Sequence, residues 1–297
     1  MEFVLIMDTK RIEELRPKSA VDNYYGIKIA PFSVLMSIYL RTNAAYLNQS
    51  IQSVWTDQIL KPSEIVIVCD GPITDDVNYV LQCWQKILLS RLIVLRIGVN
   101  SGLANALNKG LDVCMYNLVA RMDDDDISLP SRFLQQYTYM RLHNEISVLG
   151  TQVEERSEDL CKVLSKKFLP LSSEEILKFS RWRSPLNHPS VMFRKNVIKK
   201  MGGYPVIYPE DYPLWGKLLF YGYKIENLSE KLLIMRQEMA SSGRRGFKFF
   251  IGELKVLIYF YRLGHISFIQ LLSGLLIRFV VRLSPSFVKK NLYRALK

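Results

Sequence analysis

Between Phe32 and Met122 the chain alternates four short apolar runs with three stretches of helical spacing. The runs are Phe32-Ser-Val-Leu-Met-Ser-Ile38, Glu64–Cys69, Leu92–Ile97 and Leu118–Met122; the helical stretches are Ala44–Trp55, the region around Val77–Leu89, and the segment through Leu103, Ala106, Leu107 and Leu111. Apolar runs this short, one of them rich in β-branched residues, predict strands buried on both faces. Strands separated by single helices require right-handed crossovers, and so a mainly parallel sheet. Ligands of such sheets bind outside the carboxyl ends of the strands. Here those ends are all polar: Tyr39 and Arg41, Asp70-Gly71, Asn100-Ser-Gly102, and Asp123-Asp-Asp-Asp126. They are predicted to converge on one edge.

The acidic run is the strongest local signal. Adjacent carboxylates repel, and keeping several ionised takes a cation or strong hydrogen bonding. Mg2+ and Mn2+ are hard ions that take oxygen ligands and share carboxylates with substrate phosphates. The competing reading is a solvated acidic turn that caps the helix starting near Pro130. The position at a strand end favours the metal. Asp70-Gly71, taken alone, reads as an ordinary turn. Asn100–Asn108 opens a helix whose N-terminus can face an anion, but it lacks the glycine spacing of a dinucleotide fingerprint or a P-loop. Glu210-Asp211 starts another helical pattern, as suits the macrodipole or a general base. His188, in Asn187-His-Pro-Ser190, reads as a satisfied loop histidine.

In order and spacing these segments resemble the bacterial family 2 glycosyltransferases, whose catalytic domain has the GT-A fold. The resemblance rests on Phe32-Ser-Val-Leu-Met-Ser-Ile-Tyr39, Ile65-Val-Ile-Val-Cys-Asp-Gly71, Asn100–Asn108, Ala120-Arg-Met-Asp-Asp-Asp-Asp-Ile-Ser-Leu-Pro-Ser-Arg132, His188-Pro-Ser-Val-Met-Phe-Arg194, Gly202-Gly-Tyr204 and Glu210-Asp-Tyr-Pro-Leu-Trp215. It implies an α/β, Rossmann-like catalytic domain over residues 31–240, after an extension of residues 1–30. The nearest look-alikes assemble O-antigen or exopolysaccharide repeat units. The resemblance therefore implies an inverting transfer of galactose or glucose from a UDP-sugar to an N-acetylglucosamine diphosphate-lipid, forming a β1,3 linkage. It places Tyr39, Asp70, Asn100, Gly102, Asn108, Arg121, Asp123 and Asp126 around the nucleotide sugar. Asp125 and Asp123 would hold Mn2+ or Mg2+, Asp211 would be the acceptor base beside Glu210, and His188 would lie near the acceptor. Asp124 stands where the family has a small residue, so more than one pairing of carboxylates can meet the metal.

The net charge of +12 is concentrated at one end. From Ser241 to Lys297 eleven basic residues face the single acid Glu253. Phe250, Leu254, Leu257, Ile258 and Tyr261 recur there at helical spacing, with Lys248, Lys255 and Arg262 on another face. Ile266–Val281 is apolar but interrupted by Gln270 and Arg278, short of the roughly 20 apolar residues of a membrane span. Residues 241–297 are thus expected to be a basic helical region that either lies on an anionic membrane surface or packs on the catalytic domain. The expected location is peripheral, on the cytoplasmic face of the bacterial inner membrane. Four scattered cysteines without a Cys-x-x-Cys pair suit a reducing compartment, and the N-terminus has no long apolar core of a secretory signal. Three other classes share single features. An isoprenoid synthase uses aspartate-rich helices, whereas this acidic run follows Leu118–Met122, which reads as a strand. A sugar nucleotidyltransferase would need a glycine-rich basic phosphate loop at the first strand, and a nucleic-acid-binding protein would leave the acidic strand ends unexplained. No nucleic-acid partner is expected.

Overall fold

The computed structural model describes residues 23–24, 27–28, 30–237 and 247–283. The chain forms two compact units, Met1–Pro31 and Phe32–Lys297. In the first, Asn23–Tyr24 pairs antiparallel with Ile27–Lys28 in a short ladder.

The second unit is built on a nine-stranded sheet. Its first half consists of β1 (Ser33–Ile38), β2 (Glu64–Asp70), β3 (Leu92–Ile97) and β4 (Leu118–Arg121), all mutually parallel and ordered β3-β2-β1-β4. The crossovers are α1 (Ala44–Val54), α2 (Asp75–Leu88) and α3 (Leu103–Val113). β2 is buried at every position, which is why it reads as an unbroken apolar run. The chain steps outward from β1 through β2 to β3 and then crosses back to set β4 on the other side of β1, so the acidic run after β4 emerges at a topological switch point.

The second half is mixed rather than parallel. β5 (Ile127–Ser128), α4 (Arg132–Leu142), β6 (Ile146–Ser157), β7 (Val163–Lys167), α5 (Ser173–Ser180), β8 (Met192–Arg194), α6 (Lys195–Lys200), α7 (Asp211–Phe220) and β9 (Lys224–Gln237) follow. β8 runs antiparallel between β4 and β6, β9 is parallel to β6, and β5 and β7 pair antiparallel with β9 and β6. β5 fastens the far end of the acidic loop to β9, so that loop is anchored on both sides.

Two C-terminal helices, α8 (Phe247–Leu263) and α9 (Phe268–Leu283), complete the unit. Val256, Leu257, Phe260, Ile266 and Leu271 bury themselves against Tyr212 of α7. Gly216 allows the close approach: a Cβ there would collide with the Phe260 ring. The buried face of α8 is thus Gly252, Val256, Leu257 and Phe260, rotated from the expected one, and Ile258 and Tyr261 are exposed. No helix of the described residues is long and apolar enough to cross a membrane. The basic residues Arg244, Arg245, Lys289, Lys290, Arg294 and Lys297 lie outside the described residues.

Candidate active site

A cleft of about 1180 Å³ opens along the carboxyl edge of the parallel strands. Tyr39, Asp70, Asn100 and Gly102 line one side, Asp123, Asp124 and Asp125 line the floor, and Val206, Tyr208, Glu210 and Lys255 line the other side. The polar strand ends therefore meet, as the parallel order requires.

Asp70 organises the first wall. Its Oδ1 accepts hydrogen bonds from Ser101 N (2.7 Å) and Ser101 Oγ (3.0 Å), and its Oδ2 accepts one from Gly102 N (2.9 Å). Asn100 Nδ2 returns a bond to the Asp70 carbonyl at 3.0 Å. Gly71 is required here: its φ is +87°, and a Cβ would lie 2.8 Å from Asn100 N. Asp70 thus pins the loop that starts α3 while lining the cleft. Asn108 differs from expectation. Its amide closes two bonds with the Tyr204 backbone, 2.7 and 2.9 Å, and it does not line the cleft. It is a strut between α3 and the Gly203 turn.

The acidic loop is held from all sides. Thr42 Oγ1 donates to Asp124 Oδ2 at 2.5 Å, and Ser50 Oγ donates to the Asp123 carbonyl at 2.7 Å. Arg121, buried beneath, pairs with Asp123 and does not reach the cleft wall. Behind the loop Arg236 of β9 donates from Nε to the Asp125 carbonyl (2.9 Å) and from its backbone N to Asp126 Oδ1 (3.0 Å). The Arg236 guanidinium lies over the Tyr46 ring at 4.0 Å. Asp126 is buried against β9 rather than open to the cleft, and its Oδ2 has no hydrogen-bond partner.

These carboxylates are short of positive charge. Burial, with repulsion from the neighbouring acids, pushes Asp124 up to about 6 and Asp125 up to about 7; Asp126 rises well above the ordinary range. Oxygens of Asp123, Asp125 and Asp126 lie within 4.8 Å of one another. A converging, electron-rich oxygen set with one oxygen unpartnered fits a hard divalent cation. Asp126 thus lies beside the expected pair, Asp123 and Asp125, and Arg121 engages Asp123.

Across the cleft, Glu210 sits at the start of α7, and burial beside Asp211 raises its carboxyl to about 7. Asp211 is half-buried and accepts a hydrogen bond from Ser184 Oγ at 3.3 Å; burial raises its pKa too. Glu210, not Asp211, lines the cleft itself. His188 sits behind it, with Nε2 3.1 Å from Tyr204 Oη and its ring packed against Tyr204 and Trp215. Burial and nearby Arg121 lower its pKa well below the usual value, so the ring is neutral.

Comparisons with known proteins identify the family. The description "Glycosyl transferase family 2" matches residues 33–202. A UDP-Gal:alpha-D-GlcNAc-diphosphoundecaprenol beta-1,3-galactosyltransferase of Escherichia coli is 36% identical over 265 residues, covering 89% of this chain and 95% of that protein. The amylovoran biosynthesis glycosyltransferase AmsE of Erwinia amylovora is 37% identical over 265 residues, covering 88% and 97%. Two solved structures share the fold. S. aureus TarS 1-349 in complex with UDP-GlcNAc has a TM-score of 0.63 at 17% identity, covering 84% of this chain and 73% of that one. The mannosyltransferase PcManGT from Pyrobaculum calidifontis, in complex with GDP-Man and Mn2+, has a TM-score of 0.58 at 16% identity, covering 80% and 67%. The chain is a GT-A enzyme and belongs to glycosyl transferase family 2.

Proposed function

We propose that the chain transfers a hexose, galactose or glucose, from a UDP-sugar to an N-acetylglucosamine diphosphate-lipid with inversion, forming a β1,3 linkage in O-antigen or exopolysaccharide assembly. The likeness to the E. coli galactosyltransferase over nearly the whole of both chains carries this reading. Asp70, Asn100 and Gly102 would bind the nucleoside, and Asp123, Asp125 and Asp126 would hold Mn2+ or Mg2+ against the diphosphate. The bound cation would supply Lewis-acid stabilisation of the departing diphosphate. Asp211 would take the acceptor proton, with one oxygen oriented by Ser184, while Glu210 would face the acceptor sugar. The direct test is a donor screen with a synthetic N-acetylglucosamine diphosphate-lipid, followed by linkage analysis. Transfer from UDP-galactose or UDP-glucose is expected; release of pyrophosphate from a sugar phosphate and a nucleotide would overturn it.

The acidic cluster gives a stability prediction. With chelator present, Asp124 and Asp125 bind protons up to about 6 and about 7 in the folded state, above their ordinary 3.8. Across that window the folded state holds more protons than the unfolded chain, so stability falls as pH rises. Tm in chelator should therefore fall between about pH 5.5 and about pH 8 by several degrees more for wild type than for Asp125→Asn, at about 2–4 °C per kcal/mol. Mn2+ should restore wild type at the higher pH. Parallel slopes for the two proteins would show that the cluster carries no such strain.

We also propose that α9 meets the cytoplasmic membrane face. Its inner side is Leu271, Gly274, Leu275 and Arg278, yet Ile269 on the outer side is 75% exposed, and Phe268, Leu272, Leu276 and Phe279 are exposed as well. A helix apolar all round needs cover on its second face. Basic residues near an anionic surface contribute about 1 kcal/mol each. The protein should bind anionic vesicles and be partly released by high salt. Ile269→Glu with Leu276→Glu should weaken vesicle sedimentation without lowering Tm; unchanged sedimentation would exclude this face.

A further inference from the structure

The cleft and the exposed face of α9 are joined by one stripe of α8. Gly252 seats this helix against the loop before Glu210, where a Cβ would collide with the Tyr208 carbonyl, and Phe249 packs edge-on to Tyr208 at 5.8 Å. One turn further, Lys255 lines the cleft. Residues three and seven positions beyond share its helical face. These are Ile258 and Arg262, both exposed, with exposed Tyr261 beside them. The stripe then passes to α9, where Phe268 packs on Tyr261 with ring centroids 6.0 Å apart. From the cleft outward, the surface thus reads Lys255, then Ile258 and Tyr261 with Arg262 beside them, then the apolar face of α9.

Charge sorts the two ends of the cleft. Arg41 stands with Tyr39 at the end of β1, on the Asp70 side, whereas Lys255 stands on the Glu210 side. Lys255 has no acidic partner among the described residues. Asp123–Asp125 and Glu210 would repel a second anion in the cleft unless a cation met it at that end.

We propose that this stripe is the seat of the acceptor's anionic linker and the first part of its hydrocarbon chain: Lys255 binds the diphosphate, and Ile258, Tyr261 and Phe268 carry the adjoining lipid. The inference rests on the reading of the acceptor as a sugar diphosphate-lipid and assigns each part of that molecule to named residues. Exposure of Lys255 makes its substitution harmless to folding, which keeps the test clean.

The experiment uses full-length enzyme without vesicles, with acceptors below their micelle concentration. Three acceptors share the sugar: a long-chain diphosphate, a methyl diphosphate, and a neutral glycoside with the long chain. Lys255→Gln should raise KM for both diphosphates about tenfold, the loss of one hydrogen bond to a charged group. KM for the UDP-sugar and activity on the neutral glycoside should stay at wild-type values, and Lys255→Arg should recover most of the loss. Phe268→Ser should raise KM several-fold for the long-chain diphosphate and leave the methyl diphosphate unchanged. An equal effect of Lys255→Gln on the neutral glycoside, a shift in the UDP-sugar KM, or no effect would overturn the assignment of Lys255. A Phe268→Ser effect that appears only with added vesicles would give that residue to the bilayer instead. If wild type uses no diphosphate acceptor at all, the functional reading fails and this inference with it; an active wild type with an indifferent Lys255→Gln sinks the inference alone.

Discussion

Asp125→Ala should remove nearly all sugar transfer, roughly 10³-fold, and leave the protein folded. The loss follows from the proposed role: a cation that offsets charge on the departing diphosphate contributes several kcal/mol, and each 1.36 kcal/mol is tenfold in rate. The intact fold follows from the loop. Among the described residues no other side chain braces the Asp125 carboxylate; Arg236 holds its carbonyl, which alanine keeps. Its carboxyl is pushed up to about 7 by burial and by Asp123 and Asp124, so removing it relieves repulsion. Tm of the variant should hold or rise. Asp124→Ala should be milder for transfer, because that carboxylate is committed to Thr42. Product formation with Mn2+, and again with excess chelator, reads both effects. Equal wild-type activity in the two conditions would remove the metal from the mechanism.

The parts of this site that could be read from the sequence are those that the sheet dictates locally. β1 to β4 match their apolar runs to within a residue, because β1, β2 and β4 are buried almost throughout, and edge strand β3 is interrupted only by exposed Arg96. Their polar ends had to meet once the strands were parallel. The second half of the sheet was silent for the opposite reason. β6 buries Thr151 and Gln152, and Gln152 is satisfied by the carbonyls of Leu169 and Leu228, so a central strand reads as polar. β9 carries register shifts that break its alternation. Arg236 grips the acidic loop from more than a hundred residues away, and no local pattern marks it. Asn108 shows the converse error: a motif position read as a ligand contact is a backbone clamp. Lys255 was visible only as one of three basic residues, Lys248, Lys255 and Arg262, spaced seven apart. What placed it in the cleft was the packing of α8 on Tyr208 and Tyr212, which spacing does not encode.

Asp211→Asn should lower turnover about 10²–10⁴-fold, the usual loss for a positioned general base, while UDP-sugar binding and Tm stay near wild type. The substitution keeps the side chain's shape and an oxygen for Ser184, so the start of α7 should not move. Damage to that helix would instead lower Tm, since Tyr212 is the next residue and is packed against Phe260 at 4.9 Å. A single displacement inverts the anomeric centre, and an α-linked donor should therefore give a β-linked product. The pH profile supplies an independent check. The base works ionised, and burial raises the Asp211 pKa above its ordinary value. Turnover should thus fall as pH drops through that raised value, at a higher pH than an exposed aspartate would show. Glu210, raised to about 7, lines the cleft and is the rival for the role. Glu210→Gln should mainly raise the acceptor KM and keep the acidic limb of the profile. If Glu210→Gln abolishes the limb and Asp211→Asn retains near-normal turnover, the base is Glu210, and Asp211 serves only to start the helix.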